Sequence, residues 1–204
     1  MQLILHQLIR FREHFQRDDF RIMRPPRHAR LLRCFVITRF DTDGLSFKTN
    51  KRGTSVPKIF YSSIIPSSID RVWAVIRDFN KFPSWHPGVC DSSIEDGRPS
   101  DAIGCVRSLY LKSGGHFRER LLALSDREYS FTFAILESPL PMTDYVSSIQ
   151  LRPVTDTDQT YAQWTCEFNC APDVESELMK TVLSVYQSGF DSLADNVRVA
   201  SPGP

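Results

Sequence analysis

The fold is decided by residues 103–124, which read IGCVRSLYLKSGGHFRERLLAL. Two runs of alternating side chains flank a Ser-Gly-Gly turn, which is the pattern of a β-hairpin. One face of the predicted hairpin collects most of its apolar residues together with two charged ones: Ile103, Cys105, Arg107, Leu109, Leu111, Phe117, Glu119, Leu121 and Ala123.

The register of this hairpin follows from its apolar pattern. A three-residue loop, Ser113–Gly115, brings the apolar faces of the two runs together, whereas a two-residue turn would separate them. A slip of one residue moves every side chain to the other face of a sheet, so the pattern selects the three-residue loop. This register predicts Leu109 opposite Glu119, with Arg107 as a diagonal neighbour of Glu119. Two opposite charges on a buried apolar face need an explanation.

Composition indicates a folded, water-soluble chain. Its 204 residues, 41% apolar and 24% charged, suffice for one domain with a substantial core. No apolar run reaches the length of a membrane span or a secretory signal. The five cysteines are odd in number and lack the spacing of a zinc site, so we predict reduced thiols and a cytoplasmic location. No phosphate loop, metal cluster or catalytic Cys-His pattern stands out, and no cofactor or metal is expected.

The positive charge is concentrated at the N-terminus. Residues 1–55 contain twelve basic and five acidic residues, a net charge of +7, whereas the rest of the chain carries −6. We predict a poorly ordered basic extension, a domain over residues 56–200 and a tail over 201–204. No nucleic-acid partner is expected. Three alternatives for the extension stay open: a mitochondrial presequence, despite its acidic residues, or contact with nucleic acid or with a membrane surface.

The remaining pattern predicts a strand, two short helices, about six antiparallel strands and one long helix. Ser67 and Asp70 have the spacing of a capping box at the first helix. The apolar stripe of the last helix contains Gly189, whose missing side chain is predicted to leave room for a group underneath. An antiparallel sheet with one buried face needs a cover, which this helix supplies. Cavities between a strongly curved sheet and such a helix are usual sites for apolar ligands.

Several short pieces, in this order, resemble the START-like superfamily, also called SRPBCC. These pieces are Val72-Trp73 with Asp78-Phe79, Trp85-His86-Pro87, Gly104-Cys-Val-Arg107, Glu119-Arg-Leu-Leu122 with Asp126, Tyr145, and Trp164 with Phe168. The resemblance covers residues 57–199, and it is strongest to the polyketide cyclase/dehydrase-type families and to the plant lachrymatory-factor synthases. It implies an α+β helix-grip fold, in which a curved antiparallel β-sheet wraps around a long C-terminal α-helix.

The resemblance also implies candidate site residues. The lachrymatory-factor synthases use an arginine, a glutamate and a tyrosine, which match Arg107, Glu119 and Tyr145, although the first two are closer in sequence here. Abscisic-acid receptors share the Gly-x-Val-Arg and Lys-Ser-Gly pieces. Their Ser-Gly-Leu-Pro gate is replaced here by Ser-Gly-Gly-His at 113–116, and their His-Arg-Leu latch is missing. A module that regulates partner proteins is therefore disfavoured.

The charged pair has three interpretations that the sequence leaves open. Arg107 and Glu119 form a structural ion pair, anchor the polar end of a ligand, or take part in proton transfer, with Arg107 holding an oxyanion. Tyr145 is interpreted as a core tyrosine whose hydroxyl needs a partner. His86 is interpreted as a residue that packs a loop.

Two functional hypotheses follow. The first is a carrier or sensor of a small hydrophobic molecule, such as a lipid or polyketide-like compound, bound between sheet and helix. The predicted ligand-binding residues are Trp85, Leu109, Phe131, Phe133, Trp164, Phe168, Tyr186 and Gly189. The alternative is a cofactor-free cyclase, dehydratase or isomerase that uses Arg107, Glu119 and Tyr145 for proton transfer.

Overall fold

The structure, a computed structural model, describes residues 56–199. Its strands, β1 to β7, are Lys58–Ile65, Val89–Ile94, Val106–Leu111, His116–Ser125, Ser130–Glu137, Met142–Val154 and Gln159–Cys170. Its α-helices are α1, Ile69–Ile76, and α2, Glu175–Val199, and 3-10 helices span Phe79–Ser84 and Glu95–Gly97. The predicted basic extension and the tail lie outside the described residues.

The strands form one antiparallel sheet in the order β1-β7-β6-β5-β4-β3-β2. The N-terminal strand β1 pairs with β7 at one edge, and β2 forms the other edge. Helix α2 covers the apolar face of this curved sheet, so the predicted α+β helix-grip fold is confirmed. No helix within residues 56–199 is long and apolar enough to span a membrane.

The alternation along the strands explains the core. In β7, every second residue from Thr160 to Cys170 is buried, because successive side chains of a strand point to opposite faces. The predicted stripe of α2 faces this surface, and it also includes Phe190, which is fully buried. The four cysteines in the described part of the chain are free thiols, as predicted.

The loop between β3 and β4 differs from the predicted one. It consists of Lys112–Gly114 and is closed by a 2.8 Å hydrogen bond from the Leu111 N–H to the Gly115 carbonyl. Gly114 supplies the positive φ, at +89°, a conformation that side-chain-bearing residues rarely adopt. Both glycines of the turn could meet this requirement in the sequence, and the choice of Gly114 moves the loop by one residue.

The predicted register is therefore wrong by two residues. Leu109 stands opposite Phe117, and Arg107 stands directly opposite Glu119 rather than on a diagonal. A shift of two residues keeps each side chain on its predicted face, so the apolar pattern alone does not distinguish the two registers. The shift brings the two charges closer together than the sequence implied.

Two residues assigned to the apolar face lie elsewhere. Ile103 is exposed, since Gly104, at φ +85°, turns the chain before β3 begins. Ala123 is exposed because the pairing of β4 with β5 is irregular between Leu121 and Ala123, and Leu124 turns toward the core instead. Such bulges re-aim the side chains that follow them.

The predicted capping box at α1 is also wrong. The N-cap is Ser68, which makes no side-chain capping bond. The Ser67 hydroxyl is buried without a hydrogen-bond partner. Asp70 instead accepts a 2.7 Å hydrogen bond from the Tyr129 hydroxyl, so a contact between distant residues replaces the local one.

Candidate functional site

A cavity of about 70 Å³ lies between α2 and the apolar face of the sheet. Every strand except β1 contributes to its wall. Six of the residues predicted for the site line it: Leu109, Glu119, Phe133, Tyr145, Trp164 and Tyr186. The wall is otherwise almost entirely apolar, so its few polar groups decide what chemistry the cavity offers.

The other predicted residues do not reach the wall. Arg107 pairs with Glu119 but does not itself line the cavity. Trp85 packs on Phe82 and Trp164 in the core. The remaining three are also core residues: Phe131 against Trp73 and Phe79, Phe168 stacked on Tyr145, and Gly189 against His86.

Arg107 and Glu119 form a buried ion pair of defined geometry. The guanidinium donates a hydrogen bond from Nε to the carboxylate oxygen Oε2 at 2.8 Å, and its Nη2 lies 2.6 Å from the same oxygen. Within the described residues, Oε1 has no hydrogen-bond partner, and Glu119 is the member of the pair that lines the cavity. The arginine therefore fixes the carboxyl group and leaves one oxygen directed to the cavity side.

The guanidinium of Arg107 is enclosed by aromatic rings. Its central carbon lies 3.8 Å from the ring centroid of Phe79 and 4.7 Å from that of Phe82. Its Nη1 also donates a hydrogen bond to the Phe79 carbonyl. Cation–π contacts, the ion pair with Glu119 and the carbonyl acceptor make a buried arginine tolerable. The same enclosure keeps Arg107 away from any ligand in the cavity, contrary to an oxyanion-holding role.

Burial sets the protonation tendency of the pair. It raises the pKa of Glu119 above its ordinary value, and the charge of Arg107 offsets part of that rise. Burial likewise lowers the pKa of Arg107. A carboxyl group with a raised pKa takes up and releases protons closer to neutrality than an exposed glutamate does.

A second polar group lies on the same wall. The hydroxyls of Tyr145 on β6 and Tyr186 on α2 are 2.6 Å apart. The Tyr186 hydroxyl also lies 3.3 Å from Ser147 Oγ. The Tyr186 ring stacks on Trp164 at a centroid distance of 4.2 Å, which fixes its orientation. Burial raises the pKa of both tyrosines well above the ordinary value, so their hydroxyls stay protonated.

His86, two residues after the first 3-10 helix, connects that segment to α2. Its Nδ1 accepts from the Gly88 N–H at 3.3 Å, which leaves Nε2 to donate to the Val185 carbonyl at 3.1 Å. Burial lowers the pKa of His86 to about 4, so the imidazole is neutral. Gly189 makes this contact fit, because a Cβ there would lie 2.8 Å from the His86 ring. The group under Gly189 is thus the imidazole itself.

The geometry combines a curved antiparallel sheet, a long covering helix and a cavity between them, and the sequence comparison agrees with it. Residues 57–198 match the family described as polyketide cyclase / dehydrase and lipid transport. The chain belongs to this family. The resemblance to the START-like superfamily is thereby confirmed.

Solved structures of similar fold come from several bacteria. One is an uncharacterized protein from Bacillus thuringiensis, with 27% identity and a TM-score of 0.63 over 70% of this chain and 99% of that one. The protein XoxI from Bacillus cereus has 27% identity and a TM-score of 0.63 over 69% and 95% of the two chains. A protein from Nitrosospira multiformis has 28% identity and a TM-score of 0.62 over 69% and 96%. No curated protein sequence matches.

Membership of the polyketide cyclase / dehydrase and lipid transport family supports hydrophobic ligand binding or cyclase chemistry. Within residues 56–199, no group of three His, Cys, Asp or Glu side chains is placed to hold a metal ion.

Several wall residues were not predicted from the sequence. Leu111, Phe117, Ile135 and Val182 continue the apolar alternation of their strands or the stripe of α2, so the pattern contained a signal for them. Phe82 lies in the first 3-10 helix, Leu140 in the connection between β5 and β6, and Met142 at the start of β6. Their place in the wall depends on how these segments fold over the sheet, which no local pattern indicates.

Proposed function

We propose that the protein binds a small, mainly apolar molecule in the cavity, as a carrier or sensor of lipid-like or polyketide-like compounds. The ligand places an oxygen-bearing end at Glu119 and Tyr145. The observation that carries this proposal is Glu119, a buried charged residue on an almost wholly apolar cavity wall, whose carboxyl group is bonded within the described chain only by Arg107, through Oε2. A carboxyl group at an apolar cavity gains from a further hydrogen bond, which a ligand hydroxyl would donate.

The cavity volume limits the ligand. An apolar cavity of about 150 Å³ accommodates benzene, so the observed volume of about 70 Å³ requires the wall to yield for a ring-sized ligand. The half-buried Met142 provides an adaptable part of that wall, because its unbranched side chain has several accessible rotamers.

Native mass spectrometry of the protein purified from its source tests this proposal. We expect a complex that releases a small molecule on denaturation. The Arg107→Leu/Glu119→Leu variant should lose that molecule, whereas Arg118→Leu, which removes two ion pairs on the outer face, should retain it. Retention by both variants would contradict the role assigned to Glu119, and a ligand-free wild type would contradict the carrier function.

A second candidate is a cofactor-free enzyme of cyclase, dehydratase or isomerase type. The raised pKa of Glu119 favours it, because this carboxyl group shares a cavity with the Tyr145 hydroxyl. Glu119 would move the proton, Tyr145 would donate to a developing oxyanion, and Arg107 would act as a positioning residue through Glu119.

The exchange of α-protons for deuterium in cyclopentanone, followed by NMR in D₂O, separates the two candidates. The enzyme candidate predicts exchange in the wild type and in a Glu128→Gln control, which alters an exposed carboxylate. It predicts binding without exchange in Glu119→Gln. Equal exchange rates in wild type and Glu119→Gln would exclude a catalytic role for Glu119.

A further inference from the structure

The hydrogen bonds of Ser147 limit which way the hydroxyl protons of Tyr145 and Tyr186 can point. Its Oγ donates to the Thr165 carbonyl at 2.8 Å, and it accepts from the Trp164 indole N–H at 2.8 Å. A carbonyl only accepts and an indole N–H only donates, so the single Ser147 proton is already used. Toward Tyr186, Ser147 therefore serves only as an acceptor.

Two arrangements of hydroxyl protons follow from this constraint. In the first, Tyr145 donates to Tyr186 and Tyr186 donates to Ser147, so both tyrosine protons are bound within the protein. In the second, Tyr186 donates to Tyr145, which then directs its own proton toward the cavity. The two arrangements interconvert by rotation of the two tyrosine hydroxyl hydrogens about their C–O bonds, without movement of a heavy atom.

Without a ligand acceptor next to Tyr145, the first arrangement is favoured, because a buried hydroxyl proton without an acceptor is costly. A ligand oxygen next to Tyr145 favours the second, since it accepts the proton that would otherwise lack a partner. The thiol of Cys166 also interacts with both hydroxyls, but sulfur is a weak acceptor, so Ser147 is the stronger competitor for the proton.

We infer that Ser147 is a positioning residue for a reversible hydrogen-bond relay, in which Tyr145 donates to Tyr186 and Tyr186 donates to Ser147. Ser147 holds the relay in this direction when no ligand is bound. A ligand carbonyl or hydroxyl oxygen binds at Tyr145 by reversing the relay. This inference rests on the proposed function. Ser147 does not line the cavity. It nevertheless weakens the binding of ligand oxygens, because its Oγ competes with the ligand oxygen as the acceptor at the end of the relay.

The relay makes an unusual prediction for Ser147→Ala. Without Ser147, the ligand-free arrangement leaves the Tyr186 proton without its acceptor, so a ligand oxygen gains more by reversing the relay. Relative to cyclopentane, cyclopentanone should bind about 3- to 10-fold more tightly than it does to the wild type, which is the range of one buried hydrogen bond. Stability should fall, since Trp164 also loses its acceptor, but that loss affects both probes alike.

The experiment compares the affinities of cyclopentanone and cyclopentane for four proteins. Wild type should prefer the ketone, Tyr145→Phe should lose that preference, and Ser147→Ala should increase it. Ser148→Ala is the matched control, because Ser148 lies on the same strand but bonds Thr132 on the outer face. The infrared carbonyl frequency of bound cyclopentanone should be lowered in wild type and Ser147→Ala, and restored in Tyr145→Phe.

The outcomes separate the relay from the proposed function. An unchanged or reduced ketone preference in Ser147→Ala would overturn the relay. Equal ketone preference in wild type and Tyr145→Phe would also overturn it, because the ligand oxygen would then lie elsewhere, while the proposed function would stand. Failure of the wild type to bind either probe would overturn the proposed function together with the relay.

Discussion

Arg107 stands directly opposite Glu119 across β3 and β4, and two nitrogens of its guanidinium, Nε and Nη2, approach a single carboxylate oxygen. This geometry leaves the second oxygen free of the arginine. Aromatic rings enclose the arginine, and two of them, Phe82 and Phe133, line the cavity, whereas Arg107 does not, so the pair presents only Glu119 to a ligand. The arrangement favours positioning of Glu119 as the role of Arg107.

Removing one member of this pair should destabilise the protein far more than removing both. Arg107→Leu leaves a buried carboxylate without its partner, and we expect a loss of about 3–5 kcal/mol in the free energy of unfolding. Arg107→Leu/Glu119→Leu should be at least as stable as the wild type, since no charge is left buried. Urea denaturation measures both. Arg152→Leu, at an ion pair with Glu128 that is half exposed, should change stability by less than about 1 kcal/mol. A double variant as unstable as the single one would contradict this account.

His86 should make stability depend on pH. Its folded-state pKa of about 4 lies below the ordinary value of about 6.5, so the unfolded chain binds a proton first as pH falls. The stabilisation is present above pH ~6.5 and is lost on the way down to pH ~4. Between pH 7 and pH 5 the loss should be about 2 kcal/mol.

Urea titrations of wild type and His86→Gln at both pH values test this expectation. Glu119 has a raised pKa, so its contribution changes in the opposite direction, with stability lost as pH rises through its folded-state pKa. The difference between the two proteins isolates His86, because both retain Glu119. Equal pH dependence in the two proteins would show that His86 is not held neutral by the fold.

Gly189→Ala should destabilise the protein although alanine is the better helix former. In an exposed helix the change would stabilise by about 1 kcal/mol. Here the new Cβ would lie 2.8 Å from the His86 ring and 3.2 Å from the Trp164 ring, so we expect a net loss of about 1–3 kcal/mol. Thermal unfolding provides the measurement. Gln187→Ala, at an exposed position of the same helix, is the control and should be neutral; an equal or higher Tm for Gly189→Ala would refute the close packing.

Much of the fold could be predicted from the sequence because its strands alternate cleanly. The buried residues of β7 and the stripe of α2 follow directly from periods of two and 3.6 residues. The hairpin register could not be predicted in the same way, because a shift of two residues changes no face. Only the φ of Gly114 selects the observed pairing.

The candidate site was less accessible from the sequence. Arg107 and Glu119 stood out because they are charged residues on an apolar face, and this signal needs no tertiary information. The contact between Tyr145 and Tyr186 joins residues 41 positions apart, so no local pattern indicates it. The role of Ser147 depends on three partners from β7 and α2, and it follows only once those elements are placed.

The affinity for cyclopentanol relative to cyclopentane tests the central claim most directly. NMR titration of the Trp164 indole N–H, which lies in the cavity wall, measures both affinities. Wild type and Arg118→Leu should prefer the alcohol by about tenfold, the value of a hydrogen bond to a buried charged acceptor. Arg107→Leu/Glu119→Leu should lose this preference and still bind cyclopentane. An unchanged preference in the folded double variant would contradict Glu119 as the anchor and leave the ion pair as structure alone.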